Sequence, residues 1–534
     1  MMKFRLIALA GSLLALVFIA PSAKADWYEA SSDHFVIYAD DSEKDIRRFA
    51  ENLERYHSAL VHLTGRDLGK PSPSNRVTIF VVGSDRDLKR LAGARGSSIA
   101  GFYIPRAGAS RAFVQDIRNK DGYPDFSTVV LLHEYAHHFL ISTSRYAMPR
   151  WVSEGAAEFF AATTFNSDGS LIVGRAAQHR GYELSAVGLP TARELLDPEL
   201  YRRNRGPRDD GFYGRSWLMY HYLMFSQERQ GQFSDYQRAI VDGKSSIEAG
   251  EAAFGDLDQL ETELKAYVRG RFYTVPVGAE QAPIGQITLR KLPRGEAEMI
   301  PLRMVSERGV NQQQAEELVV EVRGVAARYP DDPGALAALA EAEYDAGNDD
   351  AAIAAADRAI ALDPARTNPY VQKGYALFRK AADVDADDKD AAYEAAMAPF
   401  SALNARETDH PLPLIYYYRS FAERSIEPPE NARLALERAA QLAPFDQRLW
   451  LEVAMMQASE GKIELAKFSL QPLAASPHGG SSAEAAQRLI AILDKVPDGE
   501  RLRANSPLAR DNIFGGDSDT DEDDDADGAK ELRR

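Results

Sequence analysis

Val129-Val130-Leu131-Leu132-His133-Glu134-Tyr135-Ala136-His137-His138-Phe139-Leu140 places two histidines four residues apart, with a glutamate beside the first, inside an apolar run of helical length. On a helix, positions i and i+4 share a face, so His133 and His137 can aim at one atom. A helix that is apolar nearly all round is buried, and buried imidazoles need partners. A zinc ion (Zn2+) suits this spacing, with Glu134 placed to handle the proton of an attacking water. His138 points about 100° away from His137 on the same helix and is read as structural.

The chain then continues through Thr143–Met148 into Pro149-Arg150-Trp151-Val152-Ser153-Glu154-Gly155-Ala156-Ala157-Glu158-Phe159-Phe160. Proline suits the start of a helix, and a short connector between two helices implies an antiparallel hairpin. In that geometry Glu154 comes opposite His137, and Glu158, one turn deeper, faces back toward His133. Glu154 would complete a two-histidine, one-glutamate metal site with a position left for water. Glu158 would accept a hydrogen bond from the outer nitrogen of His133. The reverse assignment, Glu158 as ligand, satisfies the same register less directly.

The ends of the chain set its class. Lys3 and Arg5 precede an apolar core from Leu6 to Ile19, and Ala23-Lys24-Ala25 offers a small-x-small cleavage site, so residues 1–25 read as a secretory signal peptide. The apolar core is shorter than the roughly 20 residues a membrane span needs. The chain is therefore expected to be bacterial and periplasmic or secreted, with no membrane insertion after cleavage. Cysteine is absent, which leaves neither disulfides nor a lipoprotein attachment point. The formal charge is −17, which argues against nucleic acid as a partner. Part of it is local: Asp517–Asp527 holds eight acids in eleven residues. Residues 497–534 read as a disordered acidic tail.

Between these ends the pattern has two parts. From Trp27 to Leu132 strand-like and helix-like stretches alternate: His34–Tyr38 and Arg76–Val82 read as strands, Ser42–Leu63 as an amphipathic helix. Ile99–Ile104 and Arg111–Gln115 read as a hairpin just before the histidine helix, and helices dominate from Pro149 to Phe272. This is an α+β layout. Further on, Pro330 and Pro364 lie 34 apart, and Pro411, Pro444 and Pro477 lie 33 apart, with alanines at Ala340, Ala352 and Ala359. A period near 34 filled by two helices is the tetratricopeptide signature, and small alanines let paired helices approach. Tyr273–Gly295, marked by proline and glycine, reads as a boundary between independent folding units, so a chain ending near Pro293 is expected to fold alone.

His133-Glu134-x-x-His137 followed by Trp151-x-x-Glu154-Gly155 resembles the gluzincin metallopeptidases, and most closely their bacterial peptidase-MA-like members with tetratricopeptide repeats. The resemblance covers Trp27–Phe272 in layout, with its specific motifs between His133 and Glu158. It implies a zincin-like α+β domain with His133, His137 and Glu154 as zinc ligands and Glu134 as catalytic base. It also implies a tyrosine or histidine downstream that donates to the oxyanion. Tyr213 in Phe212-Tyr213-Gly214-Arg215-Ser216-Trp217-Leu218-Met219-Tyr220-His221 resembles that tyrosine, with His221 as the second candidate. The chain departs from the family in the sixteen residues between His137 and Glu154, fewer than usual, and in lacking an upstream Gly-x-Met-Glu-Asn motif for a substrate's amine.

The expected organisation is a signal peptide at 1–25, a gluzincin-like zinc peptidase domain at 26–275, a linker with short strands at 276–310, an all-α tetratricopeptide-type solenoid at 311–496 and the tail at 497–534. The expected function is an exported zinc metallopeptidase, an endopeptidase given the missing amine site. It would act on a peptide or protein substrate, and its repeats would recruit that substrate or a protein partner. The alternatives are a non-catalytic periplasmic tetratricopeptide scaffold that carries a zinc-binding domain, and zinc hydrolysis of a non-peptide bond.

Overall fold

A computed structural model describes residues 26–93, 99–117, 122–144, 146–185, 188–205, 211–476 and 479–502. The expected signal peptide, Pro477 and the acidic tail beyond residue 502 lie outside the described residues.

Nine strands are described: β1 (Tyr28–Ser31), β2 (Phe35–Ala39), β3 (Val77–Val82), β4 (Gly101–Ile104), β5 (Arg111–Gln115), β6 (Thr164–Phe165), β7 (Leu171–Val173), β8 (Val275–Val277) and β9 (Thr288–Lys291). Six form one sheet in the order β4-β5-β3-β2-β1-β9, with β2, β3 and β5 parallel and the others antiparallel. The three parallel strands lie inside the sheet; β2 is buried throughout, β3 at all but Thr78, and β5 at its apolar centre, Ala112–Val114. The expected hairpin is present: β4 pairs with β5, Gly101 facing Val114 and Ile104 facing Arg111, and β4 is the sheet's edge.

One face of the sheet carries Ile37, Ile79 and Val114, which pack on the helix Glu43–Thr64 and the histidine helix, Phe126–Thr143. The first of these helices is capped by Ser42, whose hydroxyl accepts from the Asp45 amide, and stopped by Gly65 in the left-handed region at φ 66°. Phe49, Leu53, Tyr56 and Leu60, one stripe of this amphipathic helix, are buried, and Tyr56 Oη donates to the Leu132 carbonyl at 2.9 Å. The other face presents Tyr38, Phe80, Phe113 and Phe102, in-register neighbours on successive strands whose rings lie 4.6–5.4 Å apart. Such cross-strand aromatic contacts hold strand order and register.

That aromatic face is covered by Leu88 and Leu91 and by Ile300 and Met304 of the helix Arg294–Glu307. The stretch 276–310, expected to be a linker with short strands, does carry short strands, but they are built into sheets. β8 completes a small sheet with β6 and β7, β9 pairs with β1, and the helix after them is part of the main domain's core. A chain ending near Pro293, expected from the sequence to fold alone, would lack the part of this cover that Ile300 and Met304 supply.

From Gln312 to Leu493 the described residues form helices joined by short turns, each packed on its sequence neighbours. Ala340, Ala352 and Ala359 are fully buried between helices. A Cβ at Gly374 would lie 2.5 Å from the Phe400 ring, so the spacing of that helix pair depends on glycine. This region is a tetratricopeptide-like helical solenoid, and it returns to the sheet domain. Asn75 Nδ2 donates to the Leu442 carbonyl at 2.6 Å, Ser74 Oγ to Glu407 at 2.9 Å, and the Ala107 amide to Asp446 at 2.9 Å. The Phe445 ring lies 4.4 Å from that of His138. The turn between β4 and β5 thus rests on the solenoid, with Gly108 (φ 83°) so close to Leu412 that a Cβ would come within 2.9 Å.

Glu341 lines a polar cavity between sheet and solenoid. Burial, with Glu307 and Asp345 adding to it, pushes its carboxyl up from 4.5 to about 8. A carboxyl raised in the folded state is protonated there while the unfolded chain ionises, so stability is lost as pH rises from 4.5 to 8. Glu341→Gln keeps an acceptor for Asn368 Nδ2, now 3.1 Å from Glu341 Oε2, and removes the titration. Denaturant unfolding is expected to show a stability difference in favour of the variant that grows between pH 5 and 8. A pH-independent difference would show that Glu341 does not titrate in that window.

Candidate metal centre

The histidine helix starts at Asp125, whose carboxylate accepts from the Thr128 amide, and is buried on almost every side through Leu140. The glutamate helix, Arg150–Ala161, follows the short connector and packs against it as an antiparallel partner. Its other side lies against the helix Gly211–Phe225. A Cβ at Gly155 would come within 2.6 Å of the Ser216 carbonyl oxygen, so only glycine lets the two backbones approach this closely.

The hairpin register brings three donor atoms together. His133 Nε2 and His137 Nε2 are 3.1 Å apart, and Glu154 Oε2 lies 3.3 Å from the first and 3.2 Å from the second. All three residues are buried, Glu154 completely. Ligand atoms about 2.0–2.1 Å from a tetrahedral zinc sit about 3.3 Å from one another, so the observed triangle fits that ion. Each outer nitrogen faces a polar group. His137 Nδ1 meets Ser153 Oγ at 3.1 Å, and His133 Nδ1 faces Glu158 Oε1 at 3.3 Å. Both Nε2 atoms therefore point inward, at the place where a cation would sit. Burial opposes a charge on His133, but Glu154 and Glu158 outweigh it and push its pKa up to about 9. The site's field favours positive charge.

Glu158 is 0 % exposed and does not join the triangle. Besides His133 it meets His179 Nε2 at 2.5 Å and accepts a fork from Arg180, Nε at 2.9 Å and Nη2 at 2.7 Å. Burial would raise its pKa, yet Arg180, His179 and His133 hold it well below the usual carboxylate range. The geometry therefore separates the two glutamates, Glu154 in the triangle with His133 and His137 and Glu158 behind His133. His179 and Arg180 were missed in the sequence. The available signal was electrical: a buried carboxylate on an apolar helix requires a cation, and His179-Arg180 follows the next hairpin.

Arg180 also bonds Glu183 and lays its guanidinium 4.6 Å from the Tyr213 ring centre. That places Tyr213, half-buried in the first turn of its helix, 6.3 Å from the His133 ring. His221 is elsewhere. Eight residues on, about 12 Å along the helix axis, its Nε2 meets the Gly174 and Tyr273 carbonyls and its Nδ1 the Tyr267 hydroxyl. It ties the helical layer to the small sheet and takes no part in the metal site. His138 is likewise structural, bonded to Tyr103 Oη at 2.6 Å and held neutral by burial, with pKa lowered to about 3.

Glu134 opens into a cleft of about 410 Å3 together with His137. One wall is the edge strand, through Tyr103 and Ile104; the other is the solenoid, through Tyr416, Phe445 and Leu449.

A family model described as "Protein of unknown function (DUF1570)" matches residues 126–242, a span that contains His133, Glu134, His137, Glu154, Glu158 and Tyr213. No curated protein matches the chain. Among solved structures, the chain is similar to a thermophilic TPR protein of Thermus thermophilus, with 15 % identity and TM-score 0.30 over 34 % of this chain and 92 % of that one. It is also similar to a MamA RS-1 ArsTM double mutant, with 15 % identity and TM-score 0.25 over 39 % of this chain and 99 % of that one.

Proposed function

We propose that this protein is a zinc-dependent peptidase, an endopeptidase that acts on extended polypeptide, exported by its N-terminal signal. The observation that carries the reading is the convergence of His133 Nε2, His137 Nε2 and Glu154 Oε2 within 3.1–3.3 Å, with Glu134 on the same helix facing the cleft. A zinc ion held by those three residues would polarise a scissile carbonyl and lower the pKa of its water. Glu134 takes the proton of the attacking water and delivers it to the leaving amine. Tyr213, positioned by Arg180, donates to the oxyanion. Glu158 and Ser153 fix the two imidazoles in the tautomers that leave Nε2 free. The free edge of β4 runs along the cleft and offers backbone partners to an extended chain.

The test pairs metal analysis with digestion of an unfolded protein. Wild type is expected to hold about one zinc per chain and to cleave the substrate. Glu134→Gln should hold the same metal and cleave nothing, because an amide cannot accept the water's proton. His133→Ala, His137→Ala and Glu154→Ala should each lose the metal. Metal-loaded wild type that cleaves no unfolded chain would turn the reading toward a zinc-binding scaffold, and full activity in Glu134→Gln would remove that residue from the mechanism.

A further inference from the structure

Beside the cleft lies a second cavity of about 130 Å3, lined by Met148, Trp450, Phe468, Pro472 and Leu473. The connector between the two metal helices makes its floor, and the solenoid makes its roof. The two cavities share Ile141, Gln447 and Ser476, so they are compartments of one groove. The Gln447 Nε2 to Ser476 Oγ hydrogen bond, 2.9 Å, marks where they meet. Phe468 is 50 % exposed, so its ring is reachable from the groove.

We infer that this cavity is a substrate subsite: it takes one large apolar side chain, Leu or Phe, of the same extended peptide whose backbone lies along β4. The inference rests on the peptidase reading of the metal centre and adds the class of side chain that the groove selects. Size supports it, because an apolar cavity of about 150 Å3 binds benzene. Position supports it as well. Ile141 lies one turn beyond His137, about 6 Å along the helix, and an extended chain advances about 3.3 Å per residue. The anchor side chain therefore falls about two residues from the scissile bond. Ser153 joins the two functions, since it lines the cavity and its hydroxyl meets His137 Nδ1. An occupied subsite packs against the residue that orients a metal ligand.

The experiment uses the full chain and unstructured dodecapeptides of Gly and Ser that carry a single Leu, Phe, Asp or Lys, digested as a set and read by mass spectrometry. Cleavage is expected at a fixed offset from Leu or Phe and to be at least tenfold weaker for Asp and Lys. Phe468→Asp, a change at a half-exposed position, should raise KM for the Leu and Phe peptides at least tenfold and leave kcat within twofold. Phe468→Leu should restore KM. Binding of fluorescent Leu and Asp peptides to Glu134→Gln reads the groove without turnover. Anchor-dependent binding that Phe468→Asp abolishes supports the subsite even if wild type cleaves nothing, in which case the peptidase reading alone fails. Cleavage or binding that ignores the anchor, or is unchanged in Phe468→Asp, overturns the subsite and leaves the metal centre as it stands.

Discussion

Ending the chain after Pro293 is expected to give insoluble protein that retains no zinc. The cut removes Ile300 and Met304 from the aromatic face of the main sheet, so Tyr38, Phe80, Phe102 and Phe113 keep only the part of their cover that Leu88 and Leu91 supply. Fully burying each such side chain is worth about 1.5–3 kcal/mol, against a total stability of about 5–15 kcal/mol for a typical domain. It also removes Glu307, the ion-pair partner of Arg111 on β5, and so leaves an uncompensated charge on the strand next to the edge. A chain ending after residue 310 separates the contributions: it keeps the helix Arg294–Glu307 and is expected to be more soluble, yet it lacks the solenoid wall of the cleft. Solubility, zinc content and a thermal melt of both chains decide the matter. A monodisperse, zinc-loaded protein ending at residue 293 would show that the first unit carries its own core.

Arg180→Ala is expected to damage both stability and metal binding without touching a ligand. It leaves the Glu158 carboxylate 0 % exposed with only two histidines around it. Breaking a buried charge pair by removing one partner costs about 3–5 kcal/mol. Glu158 would then take a proton or shift, and His133 would lose the group that fixes its tautomer. Loss of such a supporting contact weakens metal affinity by about 10–100-fold. The double variant Arg180→Ala, Glu158→Gln removes the stranded charge, and it should recover most of the melting temperature while zinc affinity stays low. Competition with a chelator measures the second quantity. Wild-type zinc affinity in Arg180→Ala would show that Glu158 holds His133 without help.

These two expectations rest on features of different legibility. The triangle of His133, His137 and Glu154 could be read because it is local: the helical repeat fixes His133 against His137, and Pro149 with the short connector fixes Glu154 and Glu158 against them. The edge hairpin could be read for the same reason, since β4 and β5 are neighbours in sequence. His179 and Arg180 reach Glu158 across 21 and 22 residues that include β6 and β7, and a path through a sheet leaves no periodic trace. Tyr213 and His221 share a helix and similar surroundings in sequence; only the two turns between them decide which one reaches the site. Proline misled the reading of 273–295. Pro276 sits in β8, at the edge of the small sheet where no ladder partner needs its amide, and Pro293 precedes a helix, so both belong inside the domain. The contacts that bring the solenoid back join residues more than 330 apart, beyond any local pattern.

The turn between β4 and β5 has a mechanical consequence. Ala107 is bonded to Asp446 and Gly108 is seated on Leu412, so the edge strand and the helical array are pinned together at one end of the groove. A solenoid is an elastic body whose curvature sums small rotations between successive repeats. Flexing it cannot lift one wall of the groove parallel to the other; it swings that wall about the pin. The gap therefore widens as a wedge, least beside Ala107 and most toward Trp450 and Phe468. On the proposed peptidase reading, the stiffness of the helical array limits how bulky a chain the groove admits.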